Sequence, residues 1–109
     1  MEEFDIAIIG GGPAGIMAAI AASADLNIVL LEKNSSLGSK LLITGGGRCN
    51  ITNEKPIKKL LNSFHDKNFL KHSFYTFTNE MLLDLFRNRG LDFIVEDNNR
   101  VFPETEKSQ

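Results

Sequence analysis

The sequence predicts an α/β fold that begins with a β-α-β unit, and three consecutive segments support this prediction. Phe4–Ile9 is a short apolar run rich in β-branched residues, and Pro13–Ala24 is rich in residues that favour helix. Ile28–Glu32 is a second short apolar run, which ends in an acid. Because both runs are mostly apolar, we expect two parallel strands buried on both faces, joined by a right-handed helical crossover.

Composition limits the class of protein. The chain has 109 residues, of which 42% are hydrophobic and 24% are charged, as in an ordinary globular domain. The single cysteine, Cys49, excludes an intrachain disulfide scaffold. A formal net charge of −2 argues against a globally basic nucleic-acid-binding protein.

The segment from residue 6 to 24 has no charged side chain and is nearly long enough to span a membrane. Its central glycines and Pro13 would interrupt a lipid-exposed helix. The preceding acids Glu2, Glu3 and Asp5 stand where a secretory signal needs positive charge. We therefore expect a cytoplasmic protein with no membrane partner.

The first candidate site is the G-x-G-x-x-G pattern of Gly10-Gly11-Gly12-Pro13-Ala14-Gly15. It lies between a predicted strand and a predicted helix, which is the context that dinucleotide binding requires. Gly10 permits a tight turn, Gly12 lets a pyrophosphate approach the backbone, and Gly15 lets helix and strand pack closely. Pro13 suits the first helical turn, where its missing N–H costs nothing, and the helix N-terminus at Ala14 and beyond offers N–H groups to a diphosphate. These features predict a Rossmann-like dinucleotide-binding unit.

Glu32 lies 20 residues beyond Gly12, at the end of the second predicted strand. A carboxylate at that place can accept hydrogen bonds from both ribose hydroxyls of an adenosine, and it would repel a 2′-phosphate. NADP is therefore disfavoured as the ligand of this site, which leaves FAD or NAD. We include the adjacent Lys33 among the candidate cofactor-binding residues.

The second candidate site is a glycine-rich loop that follows Lys40. It contains three consecutive glycines and three polar or reactive residues: Gly45, Gly46, Gly47, Arg48, Cys49 and Asn50. The glycines favour a loop over a strand, and unobstructed backbone N–H groups can cradle an anion or lie against a planar ring. FAD is long enough to reach both sites, and a nicotinamide cofactor stays open.

Each single side chain of this loop has a functional and a structural interpretation. Arg48 could stabilise a reduced flavin or bond loop carbonyls, and Lys40 could contact a pyrophosphate or stay solvated. For Cys49 we expect a small, partly buried thiol near the cofactor rather than redox chemistry. No catalytic residue can be assigned from the sequence.

The segment from Gly38 to Asn53, together with Ile8–Glu32 and Arg100–Pro103, resembles the BaiN/YhiN-type NAD(P)/FAD-dependent oxidoreductases, also called aminoacetone-oxidase-like flavoproteins. The resemblance covers essentially the whole chain. It implies non-covalently bound FAD, with the loop from Gly45 to Asn50 near the isoalloxazine ring.

Members of that family are several times longer. The resemblance therefore implies that residues 1–109 are the N-terminal part of an FAD-binding domain, without the remaining FAD and substrate domains. Two strands alone would also leave unpaired edges, so we expect an incomplete domain, and self-association through those edges is plausible on physical grounds. We expect the chain by itself to lack activity.

The second half of the sequence predicts mostly helix. The expected helices run from Pro56 to Phe64, across the ambiguous segment from Lys67 to Phe77, and from the cap at Thr78 to the stop at Gly90. A strand is expected over Asp92–Glu96, and Arg100–Phe102 leads out to Pro103. No metal site is predicted.

The lysines of this half are expected to face solvent and its histidines to lie in solvent or at the edge of the core, with no nucleic-acid partner. These residues comprise two histidines and five lysines: His65, His72, Lys55, Lys58, Lys59, Lys67 and Lys71.

The sequence thus predicts the FAD-binding segment of a flavin-dependent oxidoreductase. Electrons would pass from NAD(P)H to an organic small-molecule substrate or to oxygen. Two alternatives stay open: a nucleotide-binding fragment without turnover, and an NAD-binding Rossmann module of a dehydrogenase.

Overall fold

The computed structural model describes residues 1–109 and contains five strands and five α-helices. Single 3₁₀ turns lie at Thr44–Gly47 and Asp97–Asn99. The elements in chain order are β1 (Ile6–Ile9), α1 (Pro13–Ala21), β2 (Ile28–Leu31), α2 (Ser39–Ile43), β3 (Thr52–Asn53), α3 (Ile57–Leu61), α4 (Lys67–Thr76), α5 (Asn79–Arg87), β4 (Phe93–Glu96) and β5 (Arg100–Pro103).

The predicted β-α-β unit is confirmed. β1 and β2 are parallel neighbours, with Ile6 opposite Ile28 and Ile9 opposite Leu31. The Gly10 N–H extends this pairing by donating to the Leu31 carbonyl at 2.8 Å. Helix α1 crosses between the strands and contacts both of them. The turn after β1 therefore lies beside the end of β2.

The expectation that both strands would be buried on both faces is wrong. Ile9 is 78% exposed and Leu31 is 52% exposed, and no residue of β1 or β2 is fully buried. The reason is that this sheet has only two strands, with α1 packed against them. Burial on both faces requires a second covering layer.

A second sheet forms the best-buried part of the molecule. It is antiparallel, with β5 between β3 and β4. The central strand carries Val101 and Phe102, which are 0% and 1% exposed. The sequence predicted β4 and an extended segment at β5. It did not predict β3, because a strand of two residues shows no periodicity.

Helix α5 packs beside this second sheet, where the Phe86 and Phe93 rings lie 6.3 Å apart between centroids. Thr78 caps α5 as predicted, since its Oγ1 accepts a hydrogen bond from the Met81 N–H at 3.2 Å. Gly90 follows the helix with a φ of +85°, as expected of a helix stop. Asn79 is buried, and its amide donates to the Asn53 and Lys55 carbonyls at 2.7 and 2.9 Å. This amide fixes the start of α5 against β3.

Two predicted helices are shorter in the structure. The helix expected to reach Ala24 ends at Ala21, and the one expected over Pro56–Phe64 covers only Ile57–Leu61. The ambiguous segment after it forms α4, capped by the Asp66 carboxylate. The expectation of solvent-facing lysines is confirmed for Lys58, Lys59, Lys67 and Lys71, which are exposed. Both histidines are exposed too.

No helix in the structure is both long enough and apolar enough to cross a membrane.

The close approach of α1 to β1 predicts a large effect for Gly15→Ala. A Cβ at this position would lie 1.9 Å from the Gly10 carbonyl oxygen. Because that oxygen belongs to the backbone, we expect a loss of about 2 kcal/mol or more in the free energy of unfolding. Chemical denaturation of Gly15→Ala beside Gly12→Ala checks this, since a Cβ on Gly12 meets no atom within 4 Å. Equal midpoints for the two variants would contradict it.

Candidate functional site

A cleft of about 340 Å³ opens where β1 and β2 end. It is lined by the glycine turn, the end of β2 and the start of α2: Ile9, Gly10, Gly11, Gly12, Pro13, Leu31, Glu32, Lys33, Asn34, Ser39 and Lys40. The structure thus brings together six of the predicted site residues: Gly10, Gly12, Pro13, Glu32, Lys33 and Lys40. Ala14 and Gly15 lie in the first turn of α1 behind this surface.

The glycine turn leaves room where a ligand would approach. Gly10 has a φ of +99°, which a residue with a side chain rarely adopts. Gly12 is extended and precedes Pro13, which occupies the first turn of α1. No side chain caps this helix, and the space beside Gly12 is empty of protein atoms. The first N–H groups of α1 are therefore available to an anion.

Glu32 lines the same cleft, where backbone hydrogen bonds fix its carboxylate beside the glycine turn. Its Oε1 accepts from the Asn34 N–H at 2.8 Å, and its Oε2 accepts from the Gly11 N–H at 2.7 Å. The bonds from Asn34 and from Gly11 hold the pKa of Glu32 below its ordinary value of 4.5. The side chain is therefore an oriented carboxylate at neutral pH, and each oxygen keeps a free lone pair.

Gly11 is a site residue that the sequence analysis did not include. Besides donating to Glu32, it accepts a hydrogen bond at its carbonyl from the Gly38 N–H at 2.8 Å. A Cβ on Gly11 would lie 2.4 Å from the Leu37 side chain and 3.1 Å from the Glu32 carboxylate. The signal in the sequence is a glycine at a position that the G-x-G-x-x-G pattern leaves open.

The bond between Gly38 and Gly11 brings α2 to the cleft. Gly38 is buried, with a φ of +69°, and it immediately precedes α2. The first residues of α2, Ser39 and Lys40, consequently line the cleft. Lys40 is exposed there and forms no ion pair. Asn34 and Ser39 were also not predicted: Asn34 reaches the cleft through its local bond to Glu32, and Ser39 reaches it through the contact between Gly38 and Gly11.

The second glycine loop lies apart from the cleft and packs on the antiparallel sheet. Gly45, Gly46 and Gly47 all have positive φ, and so does Cys49 at +63°. This confirms a loop rather than a strand. Cys49 is buried at 7% exposure, in agreement with the expected role of a small packed thiol, whereas Asn50 is exposed. None of these residues lines the cleft.

Arg48 contacts two carboxylates and an aromatic ring of the chain. Its Nη1 lies 2.6 Å from Glu96 Oε1 and 3.5 Å from Glu106 Oε1, and its guanidinium lies 4.2 Å from the centre of the Phe102 ring. The hydrogen bond to Glu96 contributes most to raising the pKa of Arg48. Of the two interpretations of Arg48, the structure supports the structural one, although its partners are carboxylates and a ring rather than loop carbonyls.

The hydrogen bonds to Glu32 predict how this carboxylate titrates. Because the folded pKa is lowered, its bonds to Gly11 and Asn34 contribute stability above about pH 4.5 and lose it as pH falls through the folded value. We expect the Gly11 amide resonance to titrate with a midpoint below 4.5, and the Glu32→Gln variant to abolish that titration. A midpoint at or above 4.5 in NMR spectra would contradict the bonded geometry.

Comparison with known proteins places this geometry in a family. The family model of the HI0933-like protein Rossmann domain matches residues 4–109. The matched range includes the cleft, the second glycine loop and the antiparallel sheet.

Individual relatives match over different parts of the chain. The 3-dehydro-bile acid delta(4,6)-reductase of Clostridium scindens is 35% identical over 106 residues, which cover 94% of this chain and 25% of the reductase. The ribosomal RNA dihydrouridine synthase of Escherichia coli is 37% identical over 94 residues, 84% of this chain and 23% of the synthase. The mitochondrial dihydrolipoyl dehydrogenase of Caenorhabditis elegans is 39% identical over 74 residues, 67% of this chain and 13% of the dehydrogenase.

The chain thus spans about a quarter of the length of the first two relatives. The match to the family model extends over nearly all of it. The chain belongs to the family of the HI0933-like protein Rossmann domain, the BaiN/YhiN-type flavoprotein family that its glycine motifs resemble.

Proposed function

We propose that this chain is the segment of a flavin-dependent oxidoreductase that binds the adenosine diphosphate half of FAD. The observation that carries the proposal is the cleft at the ends of β1 and β2. It has an uncapped helix N-terminus beside the open space at Gly12, together with the oriented carboxylate of Glu32. These groups suit a diphosphate and a ribose respectively.

Different residues of the cleft would bind different parts of the ligand. The N–H groups at the start of α1 would bind the diphosphate, where the absence of a Cβ at Gly12 leaves space for its oxygens. The free lone pairs of Glu32 would accept hydrogen bonds from the ribose hydroxyls. Lys40 and Lys33 line the same cleft and would add positive charge near the phosphates.

The acid at the end of β2 favours FAD or NAD over NADP in this cleft, since a 2′-phosphate would meet a carboxylate. FAD is preferred because the chain belongs to a flavoprotein family and carries the second glycine loop. We propose that the loop from Gly45 to Asn50 lies near the flavin ring. When bound, FAD supplies hydride and electron exchange that no side chain of this chain provides.

The reaction of the whole protein is also a proposal. The relatives named above are called a reductase, a synthase and a dehydrogenase. We propose electron transfer from NAD(P)H to an organic small molecule or to oxygen. Because the chain covers a quarter of the first two relatives, a nucleotide-binding role without turnover is the alternative for these 109 residues. Self-association through the free edges of β1 and β2 stays a prediction.

Two substitutions test the cleft directly. Gly12→Ala fills the space for the diphosphate, and Glu32→Gln removes the charge that holds the ribose. We expect each to weaken FAD binding about tenfold or more, because the methyl group of Gly12→Ala would meet the diphosphate and Glu32→Gln would lose charge-assisted hydrogen bonds to the ribose. Quenching of flavin fluorescence during titration measures the affinity.

The matched control is Glu104→Gln, because Glu104 is exposed and its side chain forms no ion pair. We expect the control to bind FAD as the unmodified chain does. FAD binding that is equally strong in all four proteins would place the cofactor elsewhere and contradict the proposal. Tighter binding of NADP than of NAD would contradict the role of Glu32.

A further inference from the structure

The second glycine loop is contacted by an aromatic ring, by the ion pairs of Arg48 and by Ser108. The Arg48 guanidinium lies over the face of Phe102, and Gly45 packs against the edge of the same ring, where a Cβ would lie 2.8 Å from Phe102 Cε1. Phe102 is 1% exposed in the central strand of the antiparallel sheet. Two ends of the loop therefore meet on a single rigid group.

The loop needs such a support because its own sequence cannot fix its shape. Three consecutive glycines, all with positive φ, have no side chains to pack and lose much conformational entropy when ordered. Within the loop, the Cys49 N–H donates to the Thr44 carbonyl at 3.0 Å, and from outside the loop the Ser108 N–H and Oγ donate to the Gly47 carbonyl at 2.9 and 2.6 Å. A preorganised loop of this composition therefore depends on contacts made by the residues around the glycines.

Glu96 decides where the Arg48 side chain points. Its Oε1 accepts from Arg48 Nη1 at 2.6 Å, while its Oε2 lies 3.8 Å from Arg100 Nη2. Glu106, at 3.5 Å from Arg48, is a longer second contact. Two guanidinium groups and two carboxylates thus balance, so Arg48 brings no free positive charge to the loop.

We propose that Glu96 is a positioning residue: through Arg48 and Phe102 it sets the conformation of the glycine loop that would meet the cofactor. The ligand half of this statement rests on the proposed function. The conformational half does not, because it concerns contacts within the chain.

Cys49 provides a direct measurement of the loop. It is the only cysteine of the chain and it is buried inside this loop at 7% exposure. The uncharged reagent 4,4′-dithiodipyridine reacts by attack of the Cys49 thiolate on its disulfide, forming a mixed disulfide and releasing one coloured thiopyridone. Because the reagent carries no charge, the changed charge of a variant neither attracts nor repels it. The rates are compared on their high-pH plateau, so that they report loop opening rather than a changed fraction of thiolate.

We expect Glu96→Gln to raise the rate of this reaction about tenfold, with a melting temperature close to that of the unmodified chain. Arg48→Lys keeps the charge but loses the planar guanidinium that stacks on Phe102, so we expect an intermediate increase. Glu104→Gln is the control and should react at the unmodified rate. An unchanged rate in Glu96→Gln would overturn the proposal.

FAD binding tests the ligand half of the proposal separately from the conformational half. If the unmodified chain binds FAD, we expect Glu96→Gln to bind it several-fold more weakly and with a changed flavin absorbance band, and equal affinity with an equal band would overturn the ligand half. If the unmodified chain binds no FAD, the ligand half is overturned together with the proposed function. The Cys49 rates still decide the conformational half in that case.

Discussion

The backbone of Gly11 joins the three segments on which the cleft depends. Its N–H donates to Glu32 at the end of β2, and its carbonyl accepts from Gly38 at the start of α2. The turn after β1, the end of β2 and the entry to α2 are therefore fixed relative to one another. Together with the bond from the Gly10 N–H to the Leu31 carbonyl, these two bonds set the separation between the helix N-terminus and the acid.

This arrangement explains why Glu32 is oriented before any ligand arrives. Two backbone N–H groups bond its two oxygens, which lowers its pKa and fixes its carboxylate plane. A carboxylate fixed in this way loses little side-chain entropy on meeting a ribose. The acid is thus both a structural group of the cleft and the candidate ligand-binding group.

Residues that act locally could be predicted from the sequence. The turn at Gly10, the cap at Thr78 and the stop at Gly90 each depend on a few neighbouring residues, and the structure has all three. The β-α-β unit also followed from apolar patterning. The roles of Gly11 and Glu96 could not be predicted, because each rests on a partner more than 20 residues away.

The burial of the strands is a second property that could not be predicted from the sequence. The apolar runs of β1 and β2 predicted strands correctly, but their exposure depends on how many layers surround the sheet, and only two strands and α1 are present. Likewise, β3 is a strand only because the antiparallel partner β5 pairs with Thr52 and Asn53. The residue pattern of a segment indicates which secondary structure it can form. The fold determines which other segments pair with it and cover it.

The central claim is that the cleft and the second glycine loop bind one extended cofactor. The most direct test is to add FAD to the ¹⁵N-labelled chain and to follow the backbone amide resonances. The account predicts saturable shifts both in residues 10–15 and in residues 45–50, with one common dissociation constant. Shifts confined to residues 10–15 and the surroundings of Glu32, with an unchanged second loop, would contradict it.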